Sequence, residues 1–368
     1  MTRPTTTGKA QDLITFTRST TGTYLGSDGL LKSAAINEAR IEYDASGNCL
    51  GLLVEEARTN LLEYSNQANQ LDYHGDGATT GVDTSEVTSP EGSGTVIKLN
   101  KTSSGFGFAR LVHGSITSAQ TLSAFVKKGT ARYLGFRQLA AIATHTTFDL
   151  ETNTWVQTAG STSRGYEDYG NGWLRLWVVS DDSNSKTWTS ICITNSGGTE
   201  TNNETGTVYV YGIQRESGSF PTSYIPTSGS TVTRAADVAS LAVSEFGYNQ
   251  DQGSVVLEAV MPPSVISEQF WILGSNTNSA RWAFSNSTSP NVNAYDGASI
   301  FTVSSLQPSA TQKMAIGTDQ STAIMCLDGV SGNQANTNGN ISSLTTVFYF
   351  GGNNGGAPFL NGHIKSIP

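Results

Sequence analysis

Apolar and polar residues alternate along most of this chain in short runs that turn residues separate. Runs of five to nine residues in which apolar side chains alternate or follow one another predict β-strands. The clearest runs are TVIKLN, ARLVHGSI, QTLSAFVKK, ARYLGFRQLA, TTFDLET, WLRLWVVS, TSICIT and TVYVYGIQR. Eight short strands without intervening helices predict a two-sheet sandwich or jelly roll.

The same pattern divides the chain into three regions. Residues 1–62 show small predicted hairpins and too few apolar residues for a core, so this N-terminal arm is expected to pack on the next domain or on a neighbouring subunit. Residues 63–240 contain the eight strands. Residues 241–368 begin again at SVVLEAVMPP and stop at HIKSIP, which predicts a second sandwich, either minimal or completed by another chain. The predicted fold class is all-β, with tandem sandwiches and a hairpin-rich arm.

A proline-containing stretch, PTSYIPTSGSTVTRAAD, runs from Pro221 to Asp237 between the two predicted sandwiches. Its two prolines exclude central positions in a sheet and stiffen the chain. Tyr224 and Ile225 are apolar enough to be buried. The stretch, called the seam below, is therefore predicted to lie ordered across the surface of the first sandwich, not to act as a flexible linker.

The charge of the chain limits its partners. The formal net charge is −9, and charged residues make up only 14% of the sequence. This argues against nucleic acid or an anionic membrane, because both attract basic patches. No apolar run approaches the roughly 20 residues of a membrane span. The N-terminus lacks the apolar segment of a secretory signal, so synthesis and folding in a cytoplasm are expected.

Metal and catalytic chemistry have little support in the sequence. The three cysteines lie far apart, the four histidines are scattered, and adjacent carboxylates on a strand point to opposite faces, so they cannot flank one glycosidic bond. No catalytic residue, resident metal or cofactor is predicted, and the chain is not expected to be an enzyme. Carboxylates in or near turns are candidate ligands of a structural calcium ion, with solvated turns as the alternative: Asp149, Glu151, Asp181, Asp182 and Asp251.

Aromatic and arginine side chains on predicted strands are the candidate binding residues. In WLRLWVV, Trp173, Arg175 and Trp177 share one strand face. Aromatic rings pack on the apolar faces of sugars and guanidinium groups bond to hydroxyls, so this row is a candidate glycan surface. The alternatives are packing against the second sheet or the arm, and a subunit interface. The further candidates are Tyr133 and Arg137 on one strand face, Trp155 after a turn, and Trp188 at a strand start.

Three arginines are predicted to have structural roles. Arg18, Arg58 and Arg234 stand in FTRST, EARTNLL and TRAAD, beside small polar residues. A guanidinium in such a place can bond to several backbone carbonyls. We expect these arginines, together with Tyr224, to tie the arm and the seam to the first sandwich.

Several motifs carry a resemblance to a known family. They are FTRSTTGTYLGSDGLLKSA, EEARTNLL, FVKKGTAR, FDLETNT, GNGWLRL, YVYGIQRESGSFPTSYIPTSGSTVTRAAD and LNGHIKSI. In this order they resemble bacteriophage virion proteins of the tail-fibre, spike and head-fibre kind, which are built on carbohydrate-binding-module and concanavalin A-like sandwich domains. The resemblance implies a β-sandwich fold, a place on the virion, and binding of host-surface glycan in some relatives, without catalysis.

The function expected from this resemblance is that of a virion structural protein, a fibre, spike or surface-decoration subunit, made in the cytoplasm of the host bacterium. Its expected partners are other virion proteins, host-surface polysaccharide and further copies of itself, most commonly in a homotrimer. Two alternatives remain. A stand-alone carbohydrate-binding module would be monomeric, with its arm packed on its own domain. A polysaccharide-degrading enzyme would release reducing ends.

Overall fold

The computed structural model shows a chain built almost wholly of β-strands, which confirms the predicted all-β class. The structure describes residues 14–75, 79–112, 118–137, 145–180, 188–199, 201–245, 249, 253–260, 269–274, 281–285, 292–295, 300–303, 311–318, 322–331, 335–336, 347–350 and 360–366.

Short strands separated by turns make up the arm and the first sandwich. The arm contains β1 Thr15–Thr17, β2 Gly22–Leu25, β3 Leu31–Ala34, β4 Ile41–Tyr43, β5 Cys49–Val54 and β6 Arg58–Asn60. A 3-10 turn, Ala68–Gln70, precedes the first sandwich, whose strands are β7 Asp72–Gly75, β8 Thr79–Thr84, β9 Val96–Lys101, β10 Gly105–Val112, β11 Gln120–Lys128, β12 Tyr133–Arg137, β13 Thr146–Asp149, β14 Thr154–Gln157, β15 Ser163–Asp168, β16 Trp173–Ser180, β17 Trp188–Ile193, β18 Thr201–Asn202 and β19 Gly206–Ser217.

The seam and the C-terminal region also consist of short strands separated by turns. A second 3-10 turn, Val243–Glu245, follows the seam. The strands here are β20 Val232–Arg234, β21 Val238–Ala242, β22 Gly253–Val260, β23 Gln269–Gly274, β24 Arg281–Ser285, β25 Val292–Tyr295, β26 Ile300–Val303, β27 Thr311–Thr318, β28 Thr322–Leu327, β29 Val330–Ser331, β30 Ala335–Asn336, β31 Val347–Phe350 and β32 Gly362–Ser366.

Two antiparallel sheets form the first sandwich. One has the order β15-β16-β11-β19-β9-β8, and the other has the order β14-β13-β12-β17-β10-β18 with β7 beside β10. Leu122, Ala124 and Val126 of β11 share a buried cluster with Leu134 and Phe136 of β12. Every second residue of each strand therefore points into the core, as the alternation predicts.

A second buried cluster lies on the opposite face of the β11-containing sheet. Phe125 and Trp173 of this sheet pack there with Leu31 of the arm and Tyr224 of the seam. Tyr224 and Ile225 are 2% and 3% exposed. The seam is thus ordered and covers part of the sheet, as the sequence predicts, and the central strand β11 is buried on both faces.

Strand pairing connects the two ends of the chain. Strand β5 pairs with β32 in the register Leu53↔His363, and β32 also pairs with β22. Among the described residues, these strands belong to a sheet of the order β29-β28-β27-β22-β32-β5-β4, with β30 beside β28. The last strand is therefore completed by the arm of its own chain. This corrects the expectation that the C-terminal sandwich is minimal or completed by another chain.

The second sheet of the C-terminal sandwich also takes strands from elsewhere. Within the described residues its order is β1-β21-β31-β23-β24-β25-β26. Residues 15–17, 41–54 and 238–242 thus belong to the C-terminal sandwich, so the predicted boundaries 1–62, 63–240 and 241–368 do not mark three consecutive units. The physical reason is that short strands satisfy their backbone hydrogen bonds by joining the edge of an existing sheet.

Candidate functional site

Trp188 lies on the outer face of the sheet that contains β10, β12 and β17. Along β17, Ile191 and Ile193 point into the core of the first sandwich. The two-residue period of a strand therefore places Trp188, Ser190 and Cys192 on the opposite face. Trp188 is half-buried there.

Arginines from the two neighbouring strands flank the Trp188 ring. In the sheet register, Ser190 pairs with Arg110 on one side and with Arg137 on the other. The guanidinium carbon of Arg137 lies 5.4 Å from the centroid of the Trp188 ring, and that of Arg110 lies 6.0 Å from it. Both distances are in the range of cation–π contacts.

Phe108 packs beside the Trp188 ring. Its ring lies at 9° to the Trp188 ring, with 5.6 Å between the centroids. Phe108 is 6% exposed, so its offset parallel ring supports the indole, and Trp188 supplies the accessible aromatic surface. Trp188, Phe108, Arg110 and Arg137 are called the Trp188 face below.

The polar groups around the Trp188 face are held by neighbours. Arg110 forms an ion pair with Asp72. Burial lowers the pKa of Arg137, with an opposing effect of the nearby Cys192. Burial also raises the pKa of the Cys192 thiol to about 12, so this thiol is neutral at physiological pH. The cationic character of the face therefore comes from its two guanidinium groups.

Two of the residues that form the Trp188 face are predicted by the sequence, and two are not. Trp188 and Arg137 are among the predicted candidates, and the structure brings them together. Phe108 and Arg110 are missed. The signal was present, since GFGFARLV places both residues on one strand face by the two-residue period.

The other two candidates of this sheet do not join the Trp188 ring in the described contacts. Tyr133 is half-buried, and the guanidinium carbon of Arg132 lies 5.1 Å from its ring centroid. Trp155 packs on the core cluster, with its ring centroid 5.0 Å from that of Phe148. Trp155 is thus mainly a packing residue.

The predicted Trp173–Arg175–Trp177 row is buried, which corrects the expectation of an open sugar-binding row. Trp173, Arg175 and Trp177 are 2%, 3% and 5% exposed. The indole nitrogen of Trp173 donates to the carbonyl of Thr88 at 3.0 Å, and Nη2 of Arg175 donates to the carbonyl of Thr222 at 2.6 Å. The arm and the seam cover this face, as in the alternative that places the row against the arm.

Two of the predicted structural arginines lie in a buried ionic cluster. Arg18 and Arg234 meet Arg40, Glu55 and Asp237, and all five are 5% exposed or less. An Nη1–Oδ1 distance of 3.1 Å joins Arg18 to Asp237, and an Nη2–Oε2 distance of 2.8 Å joins Arg40 to Glu55. Nη2 of Arg234 lies 3.5 Å from Oε2 of Glu55, and Arg40 also pairs with Asp237. The cluster thus joins the arm to the end of the seam.

The electrostatics of this ionic cluster favour its charged form. Burial alone would raise the pKa of Glu55, but Arg234 and Arg40 outweigh it and hold this pKa well below its usual range. Ser223 contributes two hydrogen bonds to the same carboxylate, from its backbone N at 2.7 Å and from its hydroxyl at 2.7 Å. The Glu55 carboxylate therefore stays ionised in the fold.

The remaining predicted structural residues also contact the seam. Arg58 pairs with Arg234 of the seam in the β6–β20 register, and its guanidinium carbon lies 4.7 Å from the ring centroid of Phe220, next to the start of the seam. Nε of Arg58 donates to Oε1 of Glu56 at 2.5 Å. The hydroxyl of Tyr224 lies 2.7 Å from the hydroxyl of Ser65. Both residues thus hold the seam against the first sandwich.

The described residues contain no candidate metal cluster and no helix suited to spanning a membrane. No group of three or more histidine, cysteine, aspartate or glutamate side chains there is arranged to hold a metal ion. The carboxylate of Asp149 pairs with Arg132 at 2.8 Å and accepts the backbone N–H of Glu151. The other calcium candidates, Asp181, Asp182 and Asp251, lie outside the described residues. Among the helices there, none has the length and apolar character for crossing a bilayer.

Comparison with known proteins identifies no family. No family model and no curated protein matches the chain. Among solved structures, the chain is similar to the N-terminal CBM22-1–CBM22-2 tandem domain from Paenibacillus barcinonensis Xyn10C, with 11% identity, a TM-score of 0.28, and coverage of 81% of this chain and 97% of that chain. It is also similar to domains LG4-5 of the mouse laminin alpha1 chain, with 10% identity, a TM-score of 0.25, and coverage of 89% and 91%. TM-scores this low do not establish a shared fold, so the architecture stands on the strand pairing of the chain itself.

Proposed function

We propose that this chain is a structural protein of a bacteriophage particle, a fibre, spike or surface-decoration subunit, that binds host-surface polysaccharide without cleaving it. The observation that carries the binding part is the Trp188 face, where two guanidinium groups flank an indole ring beside a parallel phenyl ring. The motif resemblance supports the place on the virion and assembly as a homotrimer with other virion proteins.

The chemistry of the Trp188 face suits a sugar. The C–H face of a pyranose ring packs on aromatic rings, and the half-buried ring of Trp188, supported by Phe108, offers such packing. The guanidinium groups of Arg110 and Arg137 donate hydrogen bonds, which sugar hydroxyls accept. The face lies on a sheet and not on a loop, so its side chains are held in place before the ligand arrives.

A stand-alone, monomeric carbohydrate-binding module is the second candidate function. One observation favours it: the arm pairs with strands of its own chain, at β5–β32 and β1–β21. This is the arrangement expected of a module that needs no partner to cover its arm.

Binding to purified capsule and lipopolysaccharide polysaccharides of candidate hosts tests the first part of the proposal. Arg137→Ala should weaken binding at least about tenfold, and Trp188→Ala more strongly, because aromatic and arginine anchors carry most of the energy of an interface. Arg164→Ala is the matched control, since Arg164 is also half-buried but lies on β15 in the other sheet. Equal binding by all three variants and the wild type would reject the Trp188 face as the site.

Two further measurements separate the rivals. Light scattering on a sizing column gives the mass in solution: a trimer supports the virion subunit, whereas a monomer favours the stand-alone module. A reducing-end assay on the bound polysaccharide tests the third possibility. Release of reducing ends by the wild type would overturn the non-catalytic role.

A further inference from the structure

A cavity of about 560 Å³ lies on the other side of the first sandwich, away from the Trp188 face. Its walls come from several parts of the chain: the end of β2, β4 and the turn after it, β5, β15 with the start of β16, the seam, the end of β22, and β32. All of its lining residues are described ones. The volume falls within the roughly 300–1,000 Å³ of small-molecule sites in proteins.

The carboxylates of the cavity wall differ in what they bind. Glu42 accepts the backbone N–H of Leu25 at 3.1 Å and lies 2.6 Å from Nε2 of His363. Asp168 accepts the backbone N–H of Gly170 at 2.8 Å.

Two other wall carboxylates are also engaged. Asp44 is held by its own turn, with Ser46 and Asn48 as donors, and Glu55 is held in the ionic cluster. Glu167 is the contrast: it is solvent-accessible, and within the described part of the chain it accepts no hydrogen bond.

An arginine lies beside Glu167 with an unused donor. Glu167 of β15 pairs with Arg175 of β16, so both side chains are on one face of the sheet. Arg175 is 3% exposed, lines the cavity, and uses Nη2 to bind Thr222 and Ser123. Its Nε has no hydrogen-bond partner among the described residues. A buried donor without a partner is unfavourable, so a ligand oxygen that reaches it would be stabilised.

The electrostatic environment of Glu167 agrees with this geometry. The cavity walls desolvate its carboxylate and raise its pKa, with Glu42 adding to the effect and Arg175 opposing it. A hydroxyl that donates to this carboxylate would stabilise its ionised form.

We propose that this cavity is a second carbohydrate site, which takes a neutral, hydroxyl-bearing sugar unit. A sugar hydroxyl accepts one hydrogen bond and donates another, so a single hydroxyl group can accept from Nε of Arg175 and donate to Glu167. Tyr43 lines the same cavity, and its ring provides surface for the apolar face of the sugar. The inference rests on the proposed function only for the carbohydrate class of the ligand.

The charge of the cavity sets its selectivity. Five carboxylates line it, Glu42, Asp44, Glu55, Glu167 and Asp168, against one permanent cation, Arg175. An acidic sugar or a phosphate would be repelled, because like charges in a partly desolvated site cost free energy. The cavity and the cationic Trp188 face therefore differ in the sugars that they accept.

Titration with neutral and acidic disaccharides tests the proposal. The neutral probes are maltose, cellobiose, lactose and chitobiose, and the acidic counterpart is digalacturonate. Saturation-transfer NMR measures the binding of each probe. At least one neutral probe should bind the wild type and the Trp188→Ala variant equally. The same probe should bind about tenfold more weakly to Glu167→Gln and to Tyr43→Ala, and digalacturonate should not compete with it.

Glu151→Gln is the matched control, because Glu151 is an exposed carboxylate on the β13–β14 turn, outside the cavity. The proposal is overturned if no neutral probe binds in a manner that depends on Glu167, or if digalacturonate competes for the same site. Loss of binding in Trp188→Ala alone would support the proposed function and reject this second site. Loss in Glu167→Gln alone is the result expected for the second site, and the proposed function is then judged separately by polysaccharide binding of Trp188→Ala.

Discussion

The outer faces of the two sheets of the first sandwich carry the same kinds of residue but differ in how far these residues are buried. On one face, Trp188 and Arg137 are half-buried and form part of a flat surface. On the other face, Trp173 and Trp177 are buried, because the arm and the seam lie over them. A tryptophan–arginine row on a strand is therefore compatible with a binding surface and with a core. What packs over the sheet decides between the two.

Replacing one tryptophan from each face should separate the packing role of one face from the binding role of the other. Trp173→Ala should lower the free energy of unfolding by about 3–5 kcal/mol, as is usual for the loss of a buried aromatic side chain. Trp188→Ala should lower it far less, while abolishing polysaccharide binding. Thermal and denaturant unfolding of both variants measures the difference. Equal destabilisation by the two substitutions would contradict the distinction between the faces.

Removing a charge from the ionic cluster tests what holds the arm and the seam over the first sandwich. Asp237→Asn should destabilise the protein by about 3 kcal/mol, because it leaves three buried guanidinium groups with one carboxylate. Asp28→Asn is the control, since Asp28 pairs with Lys32 on the surface and its loss should leave the unfolding midpoint unchanged. A midpoint for Asp237→Asn that equals that of the control would show that the cluster does not contribute to stability.

Arg234→Ala should have a smaller effect. Both carboxylates keep an arginine partner in this variant, so we expect a loss of about 2 kcal/mol, comparable to that of hydrogen bonds to a charged group. Polysaccharide binding should be unchanged, because Arg234 lies in the ionic cluster and not on the Trp188 face. Unchanged thermal unfolding, or a selective loss of binding, would count against this structural role.

Lowering the pH should gradually reduce the stability that the ionic cluster gives to the packing of the arm and the seam. The pKa of Glu55 is lower in the folded protein than in the unfolded chain, where it is about 4.3. Its contribution to stability is therefore fully present above about pH 5 and is lost as the pH falls further. The unfolding midpoint of the wild type should fall over this range, and that of Glu55→Gln should fall less steeply. Parallel curves for the two proteins would exclude Glu55 as a source of the acid sensitivity.

The local pattern of the sequence was sufficient for most of the strands and for the seam. The two-residue period of QTLSAFVKK and WLRLWVVS places Leu122 and Leu176 in the core, as observed. The two prolines and the apolar pair Tyr224 and Ile225 predict an ordered seam, and the structure confirms this burial. Side-chain alternation and the conformation of proline are local properties, so the sequence alone is enough to predict these features.

The candidate sites were only partly predictable. Trp188 and Arg137 were predicted as separate candidates, but their meeting depends on the register of β12 and β17. The cavity was not predicted at all, because Glu42, Glu167 and His363 come from three strands that are far apart in the sequence. Nothing in the local pattern around any one of them indicates the other two.

The sequence by itself determined that the chain forms β-strands and where most of them lie, because side-chain alternation and turn chemistry act over a few residues. Only the tertiary structure decided that Leu53 pairs opposite His363, so that the arm completes the C-terminal sheet. It also decided which face of the first sandwich the arm and the seam cover. The physical reason is that strand pairing uses backbone groups that every residue has, so the choice of partner depends on the packing of the whole chain.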